Sequence, residues 1–330
     1  MIAEKALIAQ IRRRARAGAN AAVLTGIGDD CAVLRMPRHS GKQSDTLLTT
    51  DFSLEGVHFR RDWHSPQSVG HRCLTRGLSD IAAMGGEPVA AFLSLALPRD
   101  LSQSWIRGFT SGLIALAKKY GVTLAGGDTA ESTGGILSDI VVLGTVPKGK
   151  AVLRSGARPG DRIYVSGGLG GSAAAVWKMR KDKKPRRKLN PREFTRHFFP
   201  DPRIELGRIL RAKRLVSAMI DTSDGLSTDL THICAESCVG AEIQEELIPR
   251  ARVGKPLRAV DLELALHGGE DYELLFTAPA GKRMPSRIAG TTITLIGHIV
   301  SGHKIVLRKS NQGKSELKAG GWEHFSKPSR

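Results

Sequence analysis

The sequence predicts an α/β protein built from two domains. Strand-like apolar runs alternate with amphipathic helical segments along the chain. A length of 330 residues allows each of two domains to bury a full core. A stretch rich in Pro and Gly, Pro147 to Gly160, separates the two halves. We therefore expect one domain at residues 1–147 and a second α/β domain at residues 148–330.

Several predicted strands are followed directly by acidic residues. In open α/β sheets, ligands bind beyond the carboxyl ends of the strands, so these carboxylates are expected to face one crevice. Further strands are expected at Asp139 to Val146 and Asp161 to Ser166. The strands that precede acidic residues are Leu47 to Thr50 before Asp51, Val122 to Ala125 before Gly126-Gly127-Asp128, and Ala218 to Ile220 before Asp221.

The predicted helices have recognisable ends. Ser65-Pro66 begins a helix that Gly85-Gly86 ends, and Asp80 lies on it close to an apolar face, where an unpaired carboxylate is costly. A second helix is expected over Ser102 to Lys119. A third follows Asp224-Gly225, with apolar residues at helical spacing.

Five short motifs place Asp beside glycines or hydroxyl residues. None contains Lys or Arg, although the chain has 50 of them. Two carboxylates ~4 Å apart repel by about 4 kcal/mol at an effective dielectric constant near 20, so a cluster needs a cation. Oxygen ligands of this kind suit Mg²⁺, while Asp beside Gly is also ordinary turn chemistry. The motifs are GDD at 28–30, TTD at 49–51, GGD at 126–128, DTSDG at 221–225 and GGED at 268–271.

The formal net charge of +18 raises the question of nucleic-acid binding. Nine of the fifteen residues from Lys178 to Arg192 are Lys or Arg, and the stretch contains no aromatic residue. Because a single-strand binding surface uses aromatic side chains to stack bases, nucleic-acid binding is disfavoured, and a basic surface loop is preferred.

Composition predicts a cytoplasmic protein. No apolar run approaches the ~18 residues of a membrane helix, and the Arg-rich segment Arg12 to Arg16 lacks the apolar core of a secretory signal. The four cysteines have no zinc-ribbon spacing, so free thiols in a reducing compartment are expected. A metal site at His232, Cys234 and Cys238 is less favoured than a helix interior.

Two glycine-containing segments bear on phosphate binding. Gly144 to Lys150 matches G-x-x-x-x-G-K, but Ala151 stands where a P-loop has a hydroxyl and no helix start follows, so a P-loop is rejected. The loop Gly167 to Gly171 joins a strand to a helix. It could offer N–H groups to an anion, or it could be a turn that needs no ligand.

The motifs, taken in order, resemble the thiamine-monophosphate kinase family over nearly the whole chain. That family belongs to the aminoimidazole ribonucleotide synthase superfamily, whose members pair two α/β domains with mixed sheets, dimerise through the N-terminal domain and bind ATP without a P-loop. The motifs are GIGDDCAVL at 26–34, TTDFSLEGVHF at 49–59, LSDIAAMGGEP at 78–88, GGDTAES at 126–132, RSGARPGD at 154–161, IDTSDGLSTDL at 220–230 and GGEDYELLFT at 268–277.

The resemblance implies transfer of the γ-phosphoryl group of ATP to thiamine monophosphate, by a homodimer that uses several Mg²⁺ ions. It implies nucleotide contacts at Gly127, Asp128, Arg154 and Ser223. It implies thiamine phosphate contacts at His58, Glu270 and Trp322. The metal ligands that it implies are Asp30, Thr49, Thr50, Asp51, Asp80, Asp128, Asp221 and Asp224.

The catalytic residues expected on this basis are Asp128, Asp221, Asp224 and Arg154. Phosphoryl transfer mainly requires alignment of the reactants and neutralisation of charge, so no protein nucleophile is expected. The alternative is another ATP-dependent enzyme of the same superfamily that acts on a different small acceptor. Without the resemblance, His58 would be interpreted as a capping residue and Trp322 as a packed tail residue.

Overall fold

The computed structural model describes residues 6, 8–9, 12, 22–35, 43–181, 189–310 and 313–325. Two large sheets, a two-stranded sheet of Arg252–Val253 and Arg258–Ala259, and seven labelled helices organise this part of the chain. The helices are α1 Pro66–Ala83, α2 Gln103–Lys119, α3 Gly171–Lys181, α4 Thr195–Phe198, α5 Ile204–Ala212, α6 Leu226–Ser237 and α7 Leu262–His267, with a 3₁₀ turn at Glu245–Leu247. The strands are β1 Val23–Thr25, β2 Ala32–Leu34, β3 Ser44–Leu54, β4 Glu87–Pro98, β5 Thr123–Ser132, β6 Leu137–Pro147, β7 Arg162–Ser166, β8 Ala218–Asp221, β9 Gly240–Gln244, β10 Arg252–Val253, β11 Arg258–Ala259, β12 Leu274–Ala278, β13 Arg287–Ile288, β14 Thr291–Val300, β15 Ile305–Arg308 and β16 Lys314–Glu316.

The first sheet has the strand order β1-β2-β3-β6-β4-β5, and only β4 and β5 are parallel. Helices α1 and α2 pack closely against each other. A Cβ added at Gly70 would lie 1.9 Å from the carbonyl oxygen of Phe109, and one at Gly112 would lie 2.0 Å from that of Gln67. Glycine is therefore required at both helix positions for the two backbones to approach this closely.

The second sheet has the order β16-β15-β9-β14-β7-β12-β8, with β13 paired to β14. Within this sheet, β15 and β9 are parallel and β12 is antiparallel to both of its neighbours. Helix α6 packs on this sheet through the buried side chains of Leu226, Leu230 and Ile233. Cys234 is buried within α6, as the helix-interior interpretation predicted, whereas Cys238 is the exposed C-cap residue just beyond the helix.

One apolar cluster spans the two halves of the chain, and the second half has a further cluster of its own. Ile204, Leu206 and Leu210 of α5 belong to the same buried cluster as the side chains of α1. Backbone contact is also close here, because a Cβ at Gly207 would lie 2.0 Å from the carbonyl oxygen of Ala82. Helix α1 is therefore held between the first sheet and elements of the second half, and its polar positions lie where the halves meet.

The two-domain fold with mixed sheets and packed helices is confirmed, but the expectation that all three acidic motifs follow the ends of their strands is wrong. The TTD motif lies inside β3 and the GGD motif inside β5, because these strands continue to Leu54 and Ser132. Only Asp221 stands at the end of its strand. Gly144 to Pro147, the first part of the rejected P-loop segment, lie within β6.

The glycine-rich loop before α3 is explained by a contact within the chain. The N–H groups of Gly170 and Ser172 donate to the carboxylate of Asp271, at 2.5 and 3.1 Å. Among the described residues, no helix combines the length and the apolar character needed to cross a membrane. Residues 182–188, the middle of the basic stretch, lie outside the described residues. The last strand of the first sheet ends at Pro147, and we keep the domain boundary after that residue as a proposal.

Candidate active site

Helix α1 carries three charged residues at four-residue intervals, Arg72, Arg76 and Asp80. Residues four apart lie on one face of a helix, so a single stripe presents two guanidinium groups and then a carboxylate. The register is set at the start of the helix, where the hydroxyl of Ser65 accepts a hydrogen bond from the N–H of Ser68 at 3.2 Å.

Three carboxylates meet between the two halves of the protein. Asp30 comes from the loop before β2, Asp80 from α1 and Asp221 from the end of β8. One carboxylate oxygen of each lies within 4.8 Å of the others. Asp30 and Asp221 are buried and Asp80 is half-buried. Three convergent carboxylates of this kind are an oxygen donor set that fits Mg²⁺.

The TTD motif adds further oxygen atoms to this group. The hydroxyl of Thr49 donates to Asp80 at 2.5 Å, and the carboxyl group of Asp51 lies close to that of Asp80. Thr50 points to the opposite face of β3, since side chains alternate along a strand, and its hydroxyl donates to Asp139 at 2.7 Å. The structure therefore places Thr49 and Asp51 in the cluster and the Thr50 hydroxyl outside it.

Burial and mutual repulsion disfavour ionisation of this cluster. Burial raises the pKa of Asp221 to about 8, and the nearby charge of Asp30 adds to the shift. Burial and the charge of Asp51 together raise the pKa of Asp80 well above its usual range. Ser79 partly offsets this at Asp221 by donating its hydroxyl at 2.5 Å. A bound cation would restore the ionised state of these carboxylates.

Arg154 is a positive charge that approaches the cluster from outside the acidic motifs. Its guanidinium donates to both carboxylate oxygens of Asp30, at 2.8 and 3.3 Å, and its backbone N–H donates to Asp29 at 3.1 Å. Burial, followed by the charge of Asp30, raises the pKa of Asp29 to about 7. Arg154 thus partly neutralises one edge of the cluster and orders the GDD loop.

The DTSDG loop joins β8 to α6 directly beside the cluster. Gly225 has a φ of 113°, and its N–H donates to the carboxylate of Asp229 at 2.9 Å. Asp229 is a buried residue that the sequence reasoning did not single out, although an acidic residue in the first turn of α6 was a possible signal. The carbonyl oxygen of Ser223 accepts from the N–H of Glu270 at 2.7 Å, which joins this loop to the GGED motif.

Gly127 and Asp128 lie on the edge strand β5, apart from the cluster. The strand order runs from β3 through β6 and β4 to β5. Asp51 pairs with Ile140, Ile140 pairs with Leu93, and Leu93 pairs with Gly127. With neighbouring strands ~4.8 Å apart, three steps separate β3 from β5 by about 14 Å. Asp128 is exposed, and its carboxylate accepts from the N–H of Thr129 at 2.8 Å.

The residues expected to contact thiamine phosphate are brought near one another. The Nδ1 atom of His58 accepts from the N–H of Leu54 at 3.0 Å, so the histidine does cap a strand end. Burial, and then the charge of Arg76, lowers the pKa of His58 to about 3, which keeps the ring neutral. His58 and Trp322 both contact the ring of His324, at centroid distances of 5.5 and 5.6 Å.

Glu270 is bound by both arginines of the α1 stripe. It accepts from Arg72 at 2.7 Å and also from Arg76. Although burial raises the pKa of Glu270, the two guanidinium groups outweigh it and hold the pKa well below its usual range. Arg72 also donates to the carbonyl oxygen of His58 at 3.3 Å. Glu270 is thus an ionised link between the GGED motif and α1, and the sequence reasoning had missed both of its partners.

Two family models match the chain. The model described as "AIR synthase related protein, N-terminal domain" matches residues 28–146, and the one described as "AIR synthase related protein, C-terminal domain" matches residues 158–309. The resemblance drawn from the motifs is confirmed.

Curated relatives are similar over nearly their whole length. The thiamine-monophosphate kinase of Bacillus subtilis is 34% identical over 313 residues, which cover 93% of this chain and 95% of the relative. That of Salmonella typhimurium is 37% identical over 318 residues, covering 93% of each.

Solved structures give the same result. The structure titled "AaThiL complexed with AMPPCP and TMP" has a TM-score of 0.81 at 32% identity, covering 98% of this chain and 97% of that one. Thiamine-monophosphate kinase from Stenotrophomonas maltophilia K279a has a TM-score of 0.72 at 36% identity, covering 93% and 96%. A HypE–HypF complex, at 20% identity and a TM-score of 0.72, shows the shared fold alone.

Proposed function

The chain belongs to the thiamine-monophosphate kinase family of AIR synthase related proteins, and from this premise we propose that it transfers the γ-phosphoryl group of ATP to thiamine monophosphate. The products are thiamine diphosphate and ADP, as in the last step of thiamine diphosphate synthesis. The observation that carries the proposal is the group of Asp30, Asp80 and Asp221, with carboxylate oxygens within 4.8 Å, in a chain similar to these kinases over 93% of its length.

Several Mg²⁺ ions are proposed to be bound at and around this group. Bound Mg²⁺ supplies the positive charge that phosphoryl transfer needs on the transferred group and on the leaving ADP. The proposed ligands in the cluster are Asp30, Asp80 and Asp221, with Thr49 and Asp51 beside them. Thr50, Asp128 and Asp224 are proposed as further ligands.

The protein's own groups align the reactants. An oxygen of the acceptor phosphate forms the new bond to the γ-phosphorus as the bond from that phosphorus to the β–γ bridging oxygen breaks. The acceptor phosphate is already ionised near neutral pH, so no general base is required. Arg154, held by Asp30, is proposed to add a fixed positive charge at the ATP phosphates, with Gly127, Asp128 and Ser223 contacting the nucleotide.

Thiamine phosphate is proposed to bind beside His58, Glu270 and Trp322. Trp322 is 48% exposed, which leaves a face of the indole open to the cationic thiazolium ring. His58 is held neutral, so it places no positive charge against that ring. Glu270 is already paired with Arg72 and Arg76, so we assign it a role in setting the pocket through those arginines.

A homodimer is proposed through the first sheet. Strand β5 is an edge strand whose residues Thr123 to Glu131 are exposed, and an open edge of this length is normally covered by a partner. Exposed apolar side chains on β3, β4 and β5 of the same sheet support this surface. They are Phe52, Val89, Phe92 and Leu124. Four free cysteines fit the proposed cytoplasmic location.

The first experiment is to measure thiamine diphosphate produced by the purified protein from thiamine monophosphate, ATP and Mg²⁺. We expect product only from the monophosphate and only with the metal, so free thiamine and a chelated reaction are the controls. If no product forms while ATP with Mg²⁺ still raises the melting temperature, the acceptor is another small molecule. The protein is then a different ATP-dependent enzyme of the same superfamily.

A further inference from the structure

The segment Gly320 to His324 is attached by its backbone to the DTSDG loop and to α6. Three successive N–H groups donate to this region, those of Gly320 to Ser227 at 3.2 Å, Gly321 to Thr228 at 3.1 Å and Trp322 to the carbonyl oxygen of Asp224 at 3.1 Å. Successive donors fix the direction of the segment as well as its position. Trp322 is therefore placed by the loop that carries the proposed ligands Asp221 and Asp224.

Only glycine fits at positions 320 and 321, where the segment passes close to the DTSDG loop and to His267. A Cβ at Gly321 would lie 2.0 Å from the carbonyl oxygen of Asp224, and one at Gly320 would lie 2.7 Å from Nδ1 of His267. The two backbones are thus in direct contact, and the segment cannot shift without moving the loop. The indole of Trp322 is nevertheless 48% exposed, so backbone anchoring alone leaves the ring free to turn.

His324 supplies the contacts that orient the indole. Its ring meets that of Trp322 at an interplanar angle of 89° and a centroid distance of 5.6 Å, and that of His58 at 67° and 5.5 Å. Edge-to-face contacts at these distances are favourable for aromatic rings. Because Nδ1 of His58 accepts from Leu54, His58 is itself fixed to the end of β3. His324 therefore joins a residue of the first half of the chain to one held by the second.

We propose that His324 is a positioning residue for the thiamine acceptor, which orients Trp322 by bridging it to His58 across the two halves of the protein. The proposal rests on the proposed function for the identity of the acceptor. It assigns to His324 no contact with ATP and no part in phosphoryl transfer. Its loss is therefore expected to weaken binding of the acceptor and to leave the reaction of the bound complex intact.

The test compares His324→Ala with His324→Phe, which keeps an aromatic ring at this position. Loss of two edge-to-face contacts is expected to raise KM for thiamine monophosphate about tenfold in His324→Ala, with kcat and KM for ATP within about threefold of wild type. His324→Phe is expected to restore most of the loss. His303→Ala, an exposed histidine in the turn before β15, is the matched control and should match wild type.

A binding measurement separates this role from a general structural one. Calorimetric titration of thiamine monophosphate, with Mg²⁺ and a non-hydrolysable ATP analogue present, should show the same tenfold weakening in His324→Ala, with an unchanged melting temperature. Equal losses for both substrates, a fall in kcat alone, or no rescue by His324→Phe would overturn the proposal. If wild type makes no thiamine diphosphate, the proposed function fails and the proposal for His324 fails with it. If wild type makes the product but His324→Ala binds thiamine monophosphate as tightly as wild type, the positioning role alone fails.

Discussion

Two buried acidic sites lie side by side on the second sheet and are neutralised in opposite ways. Asp221 ends β8, and Leu274, the residue after Glu273, is its partner on β12. Glu273 accepts from Arg203 at 2.5 and 2.7 Å, from Arg196 at 2.6 Å and from Ser166 at 2.5 Å. Asp221 instead meets two other carboxylates, and Arg154 reaches this group through its ion pair with Asp30.

The pKa shifts of the two sites follow from these partners. Burial raises the pKa of both groups, but the arginines of Glu273 outweigh it and lower the pKa, whereas that of Asp221 rises to about 8. A chain with a net charge of +18 has guanidinium groups available, and two of them pair with Glu273. The comparison teaches that several buried carboxylates that meet without a matching side-chain cation mark a place for an external cation.

The largest expected effect is a loss of stability at the paired site. Glu273→Gln removes the buried counter-ion of Arg196 and the closer of the two counter-ions of Arg203, which keeps Asp201 at 3.6 Å, so we expect the free energy of unfolding to fall by about 3–5 kcal/mol. Urea unfolding followed by circular dichroism measures this directly. Glu263→Gln, whose side chain is 81% exposed, is the control and should change it by less than ~0.5 kcal/mol. A Glu273→Gln protein as stable as wild type would contradict the claim that the ion pairs of Glu273 stabilise the fold.

The matching change at the unpaired site is expected to affect activity and to spare stability. Asp221→Asn keeps the size of the side chain and removes a repelling charge and a proposed metal ligand. We expect kcat/KM to fall by about 10²–10³-fold, or ~3–4 kcal/mol, with a metal-free melting temperature equal to or a few degrees above wild type. Asp261→Asn, an exposed helix-start residue, is the control. A large drop in melting temperature would assign Asp221 a structural role.

The smallest expected effect, counted per pH unit, is a difference between the two sites in the pH dependence of stability. In the metal-free protein the folded pKa of Asp221, about 8, exceeds its unfolded value of ~3.9. The folded state then binds more protons than the unfolded state. The contribution of Asp221 to the free energy of unfolding is therefore fully present below about pH 4 and is lost as pH rises through 8. Between these two pKa values, each such group lowers the free energy of unfolding by up to ~1.4 kcal/mol for each unit by which the pH rises. For Glu273, whose folded pKa is lowered, the contribution is instead lost as pH falls.

Melting curves from pH 5 to 9, with Mg²⁺ and with a chelator, test this sign. Metal requires the ionised carboxylates, so we expect the rise in melting temperature produced by Mg²⁺ to grow with pH. Asp221→Asn should flatten the slope of the chelated protein. A Mg²⁺ effect independent of pH would show that the cluster is already ionised without metal.

The sequence by itself predicted the two-domain class, the main helices and most members of the cluster. Helix capping at Ser65 and Ser102 and the spacing of apolar residues depend only on residues close in sequence. The ends of α1 and α2 could therefore be predicted from the sequence. Acidic motifs without Lys or Arg were likewise visible along the chain, and they indicated a cation site before any geometry was known.

Tertiary structure alone decided which charges meet. Arg72 and Arg76 stand almost 200 positions from Glu270, and no local pattern signals such a pair. Strand pairing set β5 about 14 Å from β3, so Asp128 and Asp51 stand apart although their motifs look alike. The physical reason is that periodicity and capping act within a few residues, whereas partners for a buried charge are chosen by packing between distant segments.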